Sequence, residues 1–151
     1  MRLTTKGRFA VTAMMDIALQ EGVRPVALSD ISERQNISLS YLAQLFGKLR
    51  RRALVTSVRG PGGGYRISQP TETITVGEII RAVDETVDAT QSGGLKNCKD
   101  DKECITHELW TGLNVHIFDY MDTVKLADLV EKRVFKMNGV HKVKFEKINR
   151  V

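Results

Sequence analysis

Apolar residues recur at helical spacing near the start of the chain, with polar residues between them. The residues that share this period are Phe9, Ala10, Ala13, Met14, Ile17 and Ala18. Such a period is typical of an amphipathic helix, and Gly22 and Pro25 follow it as stop signals. The pattern therefore predicts a first helix from Thr5 to about Glu21.

Two shorter helical patterns follow the first. Acidic residues near the start of the segment Ser29–Glu33 predict a helix that ends near Asn36. Ser38 is a suitable N-cap for a third helix, from Leu39 to about Arg51. Two helices joined by so tight a connection form a helix-turn-helix pattern, whose second helix enters the DNA major groove.

The third predicted helix has two distinct faces. The apolar face consists of Leu39, Leu42, Leu45, Phe46 and Leu49. The opposite face carries Ser40, Gln44, Lys48 and Arg51, flanked by Tyr41, with Ala43 and Gly47 at the rim. Hydroxyl, amide and cationic groups can donate hydrogen bonds to phosphates and to base edges. Taken alone, the helix also fits an ordinary amphipathic surface helix.

A β-hairpin is predicted directly after the third helix. The strands are Ala53–Val58 and Tyr65–Ile67, and residues 59–64 form a Gly/Pro-rich turn. Beside a helix-turn-helix such a hairpin is a wing, where glycines allow close backbone approach and Arg59 can enter a narrow minor groove. A nucleotide-binding loop is disfavoured, because the Lys-Ser/Thr of a P-loop is missing.

The second half of the chain predicts more helices around a polar loop. Thr75 to about Glu85 forms a helix, and residues 89–104 lose all periodicity. Glu108 to about Asp122 is apolar on more than one side, so we expect this helix to pair across a two-fold dimer rather than fold back on its own domain. Lys125–Val130 predicts a short final helix. The basic tail from Lys136 fits an edge strand or a disordered arm.

The charge is unevenly distributed along the 151 residues. The net charge is +7 over residues 1–66, −4 over residues 67–107 and +2 over residues 108–151, which gives +5 and a pI near 9.4. A basic module joined to an acidic segment is typical of polyanion binding, although a lopsided solvated surface gives the same count. Two cysteines, a charged N-terminus and no long apolar run predict a cytoplasmic protein without membrane contact.

Potential metal ligands cluster before the long helix. Cys98, Cys104 and His107 have the spacing C-x5-C-x2-H, and thiolates and imidazole bind zinc or iron–sulfur clusters. Two free thiols and a helix-capping histidine are an alternative interpretation. A catalytic Cys–His pair would need a pocket and an oxyanion site, which nothing else in the sequence indicates.

Four segments of the chain resemble the Rrf2 family of winged-helix transcription regulators. The similar segments are residues 1–19, 28–68, 74–90 and 104–110, and the resemblance extends to about residue 133. It implies a mainly α fold with a small β-hairpin wing and a long dimerisation helix. The implied domains are a winged helix-turn-helix (1–85), a cluster-binding loop (86–107), the dimerisation helix with a short C-terminal helix (108–134) and a basic tail (135–151).

The resemblance is strongest to the iron–sulfur-sensing members of that family. These hold a [2Fe–2S] cluster on three cysteines and one histidine, which implies Cys98, Cys104 and His107 as ligands here and places Ser92 at the first cysteine position. A hydroxyl is a poor cluster ligand, because the cluster prefers a soft thiolate. A cluster-free chain, a cluster with an outside ligand and a Ser92 alkoxide all remain open; we expect mostly the cluster-free form, which still binds one class of promoter in such regulators.

We therefore expect a homodimeric repressor and activator, not an enzyme, that binds double-stranded DNA with an inverted-repeat operator and controls iron–sulfur cluster assembly genes. The expected DNA contacts are Lys6, Arg8, Ser38, Ser40, Tyr41, Gln44, Lys48, Arg51, Arg59 and Gly60. The alternatives are an Rrf2-type sensor of nitric oxide or cysteine status, and a small thiol redox protein. No small-molecule substrate is expected.

Overall fold

A computed structural model describes residues 5–20, 22, 24–83 and 105–148, with side chains as far as residue 139. This part of the chain contains six helices and one antiparallel β-hairpin, as the sequence predicted. In chain order the elements are α1 (Thr5–Leu19), α2 (Leu28–Gln35), α3 (Leu39–Arg51), β1 (Val55–Val58), β2 (Gly64–Ile67), α4 (Val76–Ala82), α5 (His107–Thr123) and α6 (Leu126–Ile148).

The core lies where α1, α3, α4 and the hairpin meet. Phe46 and Met14 are the largest fully buried side chains. The apolar faces predicted for α1 and α3 also bury Ala10, Ala13, Ile17, Leu42, Leu45 and Leu49. Leu39 is an exception, because its side chain is 50% exposed although the helical pattern placed it on the buried face. It is the first residue of α3 and so projects beyond the core.

A buried carboxylate connects α1 to the end of α2. Asp16 is 3% exposed, and its two carboxylate oxygens accept hydrogen bonds from Arg34 Nη2 at 2.6 Å, Arg34 Nε at 3.1 Å and Gln35 Nε2 at 2.8 Å. Both donors stand in the last turn of α2, next to Asn36, which ends the helix in the left-handed conformation (φ 53°). The contact thus anchors the turn that leads into α3.

The exit of α3 is also closed by local hydrogen bonds. Ala53 adopts φ 55°, and the N–H groups of Ala53 and Leu54 donate to the carbonyls of Arg50 (3.0 Å) and Leu49 (3.1 Å), which is the Schellman arrangement. The Ala53 carbonyl accepts from the side chains of Ser68 and Gln69 on the far side of the hairpin. Hydrogen bonds to the end of α3 and to the residues after β2 therefore both fix the direction in which β1 leaves α3.

The hairpin packs onto the helical core through its second strand. Val55 pairs with Ile67 and Val58 with Gly64 in antiparallel register. Tyr65 exchanges two backbone hydrogen bonds with Val26 (2.9 and 2.8 Å), and its ring lies 4.8 Å from that of Phe46. The wing and the third helix therefore form one packed unit.

The C-terminal helix differs from the prediction. The short final helix over Lys125–Val130 and the strand or disordered arm from Lys136 are both wrong, because α6 runs without a break from Leu126 to Ile148. Lys, Glu and Arg are good helix formers, and no proline interrupts the segment. The run Lys142-Val143-Lys144-Phe145 alternates polar and apolar residues with the period of a strand, which favoured the edge-strand interpretation.

Candidate nucleic-acid interface

The third helix presents a polar face to solvent, as its sequence predicted. Ser40, Gln44 and Arg51 are exposed, while the packed side of α3 is buried at Leu42, Leu45, Phe46 and Leu49. The Gln44 amide makes no hydrogen bond to any other described residue, whereas Arg51 Nε donates to the carbonyl of Gly47 at 3.3 Å. This face can therefore offer side-chain donors and acceptors to an external partner.

The N-terminus of α3 is capped by a serine pair. Ser38 Oγ accepts the backbone N–H of Tyr41 at 3.4 Å and lies 2.9 Å from Ser40 Oγ. The first turn of a helix carries backbone N–H groups without intrahelical partners and the positive end of the helix dipole. Both hydroxyls are exposed, so this end of the helix combines features that attract an anion such as a phosphate.

Two other predicted contact residues are tied into the fold. Tyr41 is half-buried, and its ring meets Phe9 of α1 edge to face at 5.8 Å. Lys48 is also half-buried, and its Nζ donates to the Val83 carbonyl at the end of α4 at 3.3 Å. An ammonium group has three donors, so this bond is compatible with an additional phosphate contact.

The wing carries its predicted residues at an exposed tip. Arg59 and Gly60 are exposed, and Gly60 has φ 100°, a conformation that side-chain-bearing residues rarely adopt. A Cβ on Gly63 would overlap the backbone carbonyl of Val58, so the tight turn also requires glycine there. The glycine run that suggested a close-approach surface is therefore first of all a requirement of the hairpin itself.

The remaining predicted contacts lie on α1. Lys6 and Arg8 are exposed in the first two turns of this helix. Because Phe9 touches Tyr41, the start of α1 lies beside the first half of α3. Lys6 and Arg8 therefore belong to the part of α1 that lies near the N-terminal half of α3.

The structure adds cations that the sequence reasoning missed. Arg66 stands exposed on β2 between the inward-facing Tyr65 and Ile67, and Arg50 is exposed in the last turn of α3. Successive side chains of a strand point to opposite faces, so the alternation Tyr65-Arg66-Ile67 could have predicted from the sequence that Arg66 is exposed. Arg66 pairs across the hairpin with Thr56, which places it along the wing behind its tip.

Three of the four proposed cluster positions lie outside the described residues, namely Ser92, Cys98 and Cys104. His107 is the first residue of α5 and half-buried, with its Nε2 3.4 Å from Thr111 Oγ1. The described residues contain no group of three side chains suited to hold a metal ion. None of the helices in the described part of the chain is long and apolar enough to cross a lipid bilayer.

The fifth helix has no fully buried residue. Ile117, Phe118 and Met121 are half-buried, and Phe118 lies against Arg81 of α4, whereas Leu109 is 62% exposed and Tyr120 69% exposed. One apolar side of α5 is therefore covered within the chain and another is uncovered.

Comparison with known proteins gives one consistent result. A profile of the family described as "Rrf2: Iron-dependent Transcriptional regulator" matches residues 3–132. A putative HTH-type transcriptional regulator of Haemophilus influenzae is 57% identical over 136 residues, which are 90% of this chain and 91% of the relative. The HTH-type transcriptional regulator IscR of Vibrio cholerae is 55% identical over 130 residues, or 86% of this chain and 75% of the relative.

Solved structures give the same fold. CymR, the global cysteine regulator of B. subtilis, has a TM-score of 0.73 and 32% sequence identity, with 87% of this chain and 98% of that chain covered. IscR of T. potens has a TM-score of 0.71 and 36% identity, with 88% of each chain covered. These similar proteins are regulators, and none of the four is named as an enzyme.

Proposed function

The chain belongs to the Rrf2 family of transcription regulators, and we propose that it binds an inverted-repeat operator as a homodimer and controls iron–sulfur cluster assembly genes. The single observation that carries the DNA-reading part of this proposal is the exposed polar face of α3, backed by a buried apolar face and flanked by a packed wing. In a winged helix-turn-helix that helix occupies the major groove.

Base recognition falls to the exposed middle of α3. A glutamine amide can bind the N6 and N7 atoms of adenine through two hydrogen bonds, and the Gln44 amide is exposed with no intramolecular hydrogen bond among the described residues. Tyr41 packs on α1 and would contact DNA with its hydroxyl end only. Ala43 adds no polar group at the rim of this face.

Phosphate contacts surround that reading face. The Ser38 and Ser40 hydroxyls and the N-terminus of α3 suit one phosphate, while Lys48 and Arg51 suit the backbone farther along the groove. Lys6 and Arg8 on α1 extend the same basic surface. These contacts would supply affinity and register rather than sequence preference.

The wing would contact the neighbouring minor groove. Arg59 is exposed at its tip beside Gly60, and a narrow minor groove has an enhanced negative potential that attracts arginine. Because Tyr65 packs on Phe46, the wing moves with α3, and both would engage the operator as one body.

The dimer proposal rests on α5. An uncovered apolar side that includes Leu109 and Tyr120 is a surface that a second copy of the same helix can bury. A two-fold pair of this kind would present two copies of α3 and thus require a two-fold symmetric operator.

The iron–sulfur part of the proposal rests on the relatives named IscR at about 55% identity and on the residue pattern before α5. Cys98, Cys104 and His107 offer three donors for a [2Fe–2S] cluster, which needs four protein ligands. Ser92 at the remaining position is a poor donor, so the residues of this chain fit the cluster badly. We infer that the chain is mostly cluster-free and binds DNA in that form.

The fold alone does not distinguish a cysteine-status regulator from an IscR-type regulator. CymR has a similar TM-score to IscR of T. potens, but its sequence is only 32% identical, against 55% for IscR of Vibrio cholerae. Sequence identity therefore favours the IscR type. None of these relatives is named as a thiol enzyme, so they give no support to that alternative.

The DNA-reading assignment is tested by fluorescence anisotropy on an operator selected from randomised duplexes and on a random duplex. Gln44→Ala is expected to weaken operator binding about 5- to 150-fold, the equivalent of about 1–3 kcal/mol, and to leave random-duplex binding unchanged. Lys48→Ala is expected to weaken both duplexes alike and to reduce the salt slope by about one. Gln20→Ala, at an exposed residue directly after α1, is the matched control. Equal losses on both duplexes for Gln44→Ala would remove this residue from the base readers.

The cluster assignment is tested on protein purified without oxygen. Iron and acid-labile sulfide are expected well below two of each per protomer, and Ser92→Cys is expected to raise both together with visible absorbance. Ser29→Cys adds a thiol on the exposed surface of α2 and is the control. A full complement of iron and sulfide in the unaltered chain would refute the cluster-free assignment.

A further inference from the structure

An ion pair joins α4 to α5 outside the reading face. Arg81 Nη1 donates to Asp122 Oδ1 at 2.7 Å, and Arg81 Nη2 donates to Asp122 Oδ2 at 2.9 Å. This bidentate geometry fixes the relative orientation of the two side chains. The same guanidinium lies 4.8 Å from the centre of the Phe118 ring on α5. Two residues of α5, one turn apart, therefore hold a single side chain of α4.

A glycine makes this contact sterically possible. Gly77 lies one turn before Arg81 on α4, and a Cβ at that position would overlap the carboxylate of Asp122. Gly77 is buried, and the positions around it carry side chains. The absence of a side chain thus lets the Asp122 carboxylate lie directly against α4.

Backbone hydrogen bonds fix the same junction at the start of α4. The Val76 N–H donates to the Val124 carbonyl at 2.9 Å, and the Leu126 N–H donates to the Ile74 carbonyl at 2.8 Å. Leu126 is fully buried. The end of α5 is therefore held against α4 both by the Arg81–Asp122 contact and by these backbone hydrogen bonds, and two attachments fix an angle where one would fix only a point.

The other end of α4 is attached to the reading helix. Lys48 of α3 donates to the Val83 carbonyl just beyond α4, while Ile79 is fully buried in the core that α4 shares with α1 and α3. Helix α4 therefore packs against the winged helix-turn-helix on one side and against α5 on the other. In a dimer that pairs through α5, any change in the angle between α4 and α5 would change the position of one protomer's α3 relative to the other's.

We propose that the joint formed by Gly77, Arg81 and Asp122 sets the distance between the two half-sites that the dimer accepts. The inference rests on the proposed function, because it needs a dimer that reads two half-sites. One base pair of spacer moves a half-site by about 3.4 Å and about 34° around the duplex axis, so only a rigid joint discriminates between neighbouring spacers. The Arg81 guanidinium also lowers the pKa of the Asp122 carboxyl below its ordinary value, which keeps the pair charged at neutral pH.

The test is a spacer series on the selected operator, with one or two base pairs added to or removed from its centre. The unaltered protein is expected to prefer one spacer at least tenfold over its neighbours. Arg81→Gln and Asp122→Asn are expected to reduce that preference at least threefold, and to leave binding to an isolated half-site within twofold. Asp119→Asn removes an exposed carboxylate from the same helix and is the matched control.

Three outcomes separate the explanations. An unchanged spacer preference in both variants overturns the joint and leaves the proposed function intact. A uniform loss at every spacer overturns it as well, because it indicates a general loss of stability. If the unaltered protein stays monomeric or binds no inverted repeat, the proposed function fails and the joint fails with it.

Discussion

The buried Asp16–Arg34 contact predicts an asymmetric response to mutation. Asp16 is 3% exposed, whereas the Arg34 side chain is 39% exposed and the Gln35 side chain lies at the surface. The hydrogen bond to Asp16 raises the pKa of Arg34, so the arginine is charged at every accessible pH. Removing the arginine leaves a buried carboxylate with one amide donor, while removing the aspartate leaves two donors that can turn to water.

The expected magnitudes follow from that difference. Breaking a buried pair by removing one partner costs about 3–5 kcal/mol, and partial exposure of Arg34 places Arg34→Met near the lower end, at about 3 kcal/mol. Asp16→Ala loses net hydrogen bonding and leaves a small cavity, which together cost about 1 kcal/mol. In the double variant no charge is stranded, so its loss is expected to stay near that of Asp16→Ala alone. The coupling between the two positions is then about 3 kcal/mol.

The assay is equilibrium unfolding in urea, followed by circular dichroism at one fixed protein concentration, because a dimer makes stability concentration-dependent. The double variant is expected to be more stable than Arg34→Met alone. Equal losses for the two single variants that add up in the double variant would refute the reasoning, since they would show that the carboxylate is not stranded by loss of the arginine.

Three further predictions concern local structure. Ala53→Gly is expected to stabilise the fold by about 0.5 kcal/mol in the same urea assay, because relief of the left-handed strain of about 1–2 kcal/mol exceeds the added chain entropy; destabilisation would contradict the assigned conformation. Thr75 caps α4 in a reciprocal capping box with Glu78, so Thr75→Ala is expected to lose about 1 kcal/mol and Thr75→Ser to retain most of it; equal losses would exclude the hydroxyl as the cause. Arg81 lowers the folded-state pKa of Asp122, so this pair stabilises the fold above the unfolded value of about 3.9 and stops doing so as the pH falls through the depressed folded value. The stability difference between Asp122→Asn and the unaltered chain, measured from pH 6 to pH 2, is expected to vanish at the acid end; a difference that grows there would contradict the sign.

The sequence was sufficient to predict the DNA-reading unit. The helical period, the Ser38 cap and the glycine turn are local signals in the sequence. Each predicts an element that the structure contains, and these elements pack together around Phe46. Local agreement of this kind is what allows a pattern to be read without a structure. The face of α3 was predictable for the same reason, because burial of one side of a helix exposes the other.

Long-range contacts were not predictable in the same way. Nothing in the sequence pairs Arg81 with Asp122, 41 positions later, or shows that Lys48 donates to Val83. Neither pair has a fixed sequence spacing; each depends on the angle at which helices cross. The extent of α6 was missed because the alternation of polar and apolar residues over 142–145 fits a strand as well as a helix, and helix propensity decided between the two.

The central claim is that two copies of α3 and its wing read a two-fold symmetric DNA site. Its most direct test is selection of binding sites from a library of randomised duplexes by the purified full chain at moderate salt. The account predicts enrichment of one inverted repeat, protected by two protomers, and loss of that enrichment for Gln44→Ala but not for Gln20→Ala. Enrichment of a single asymmetric site bound by one protomer, or no enrichment at all, would contradict it.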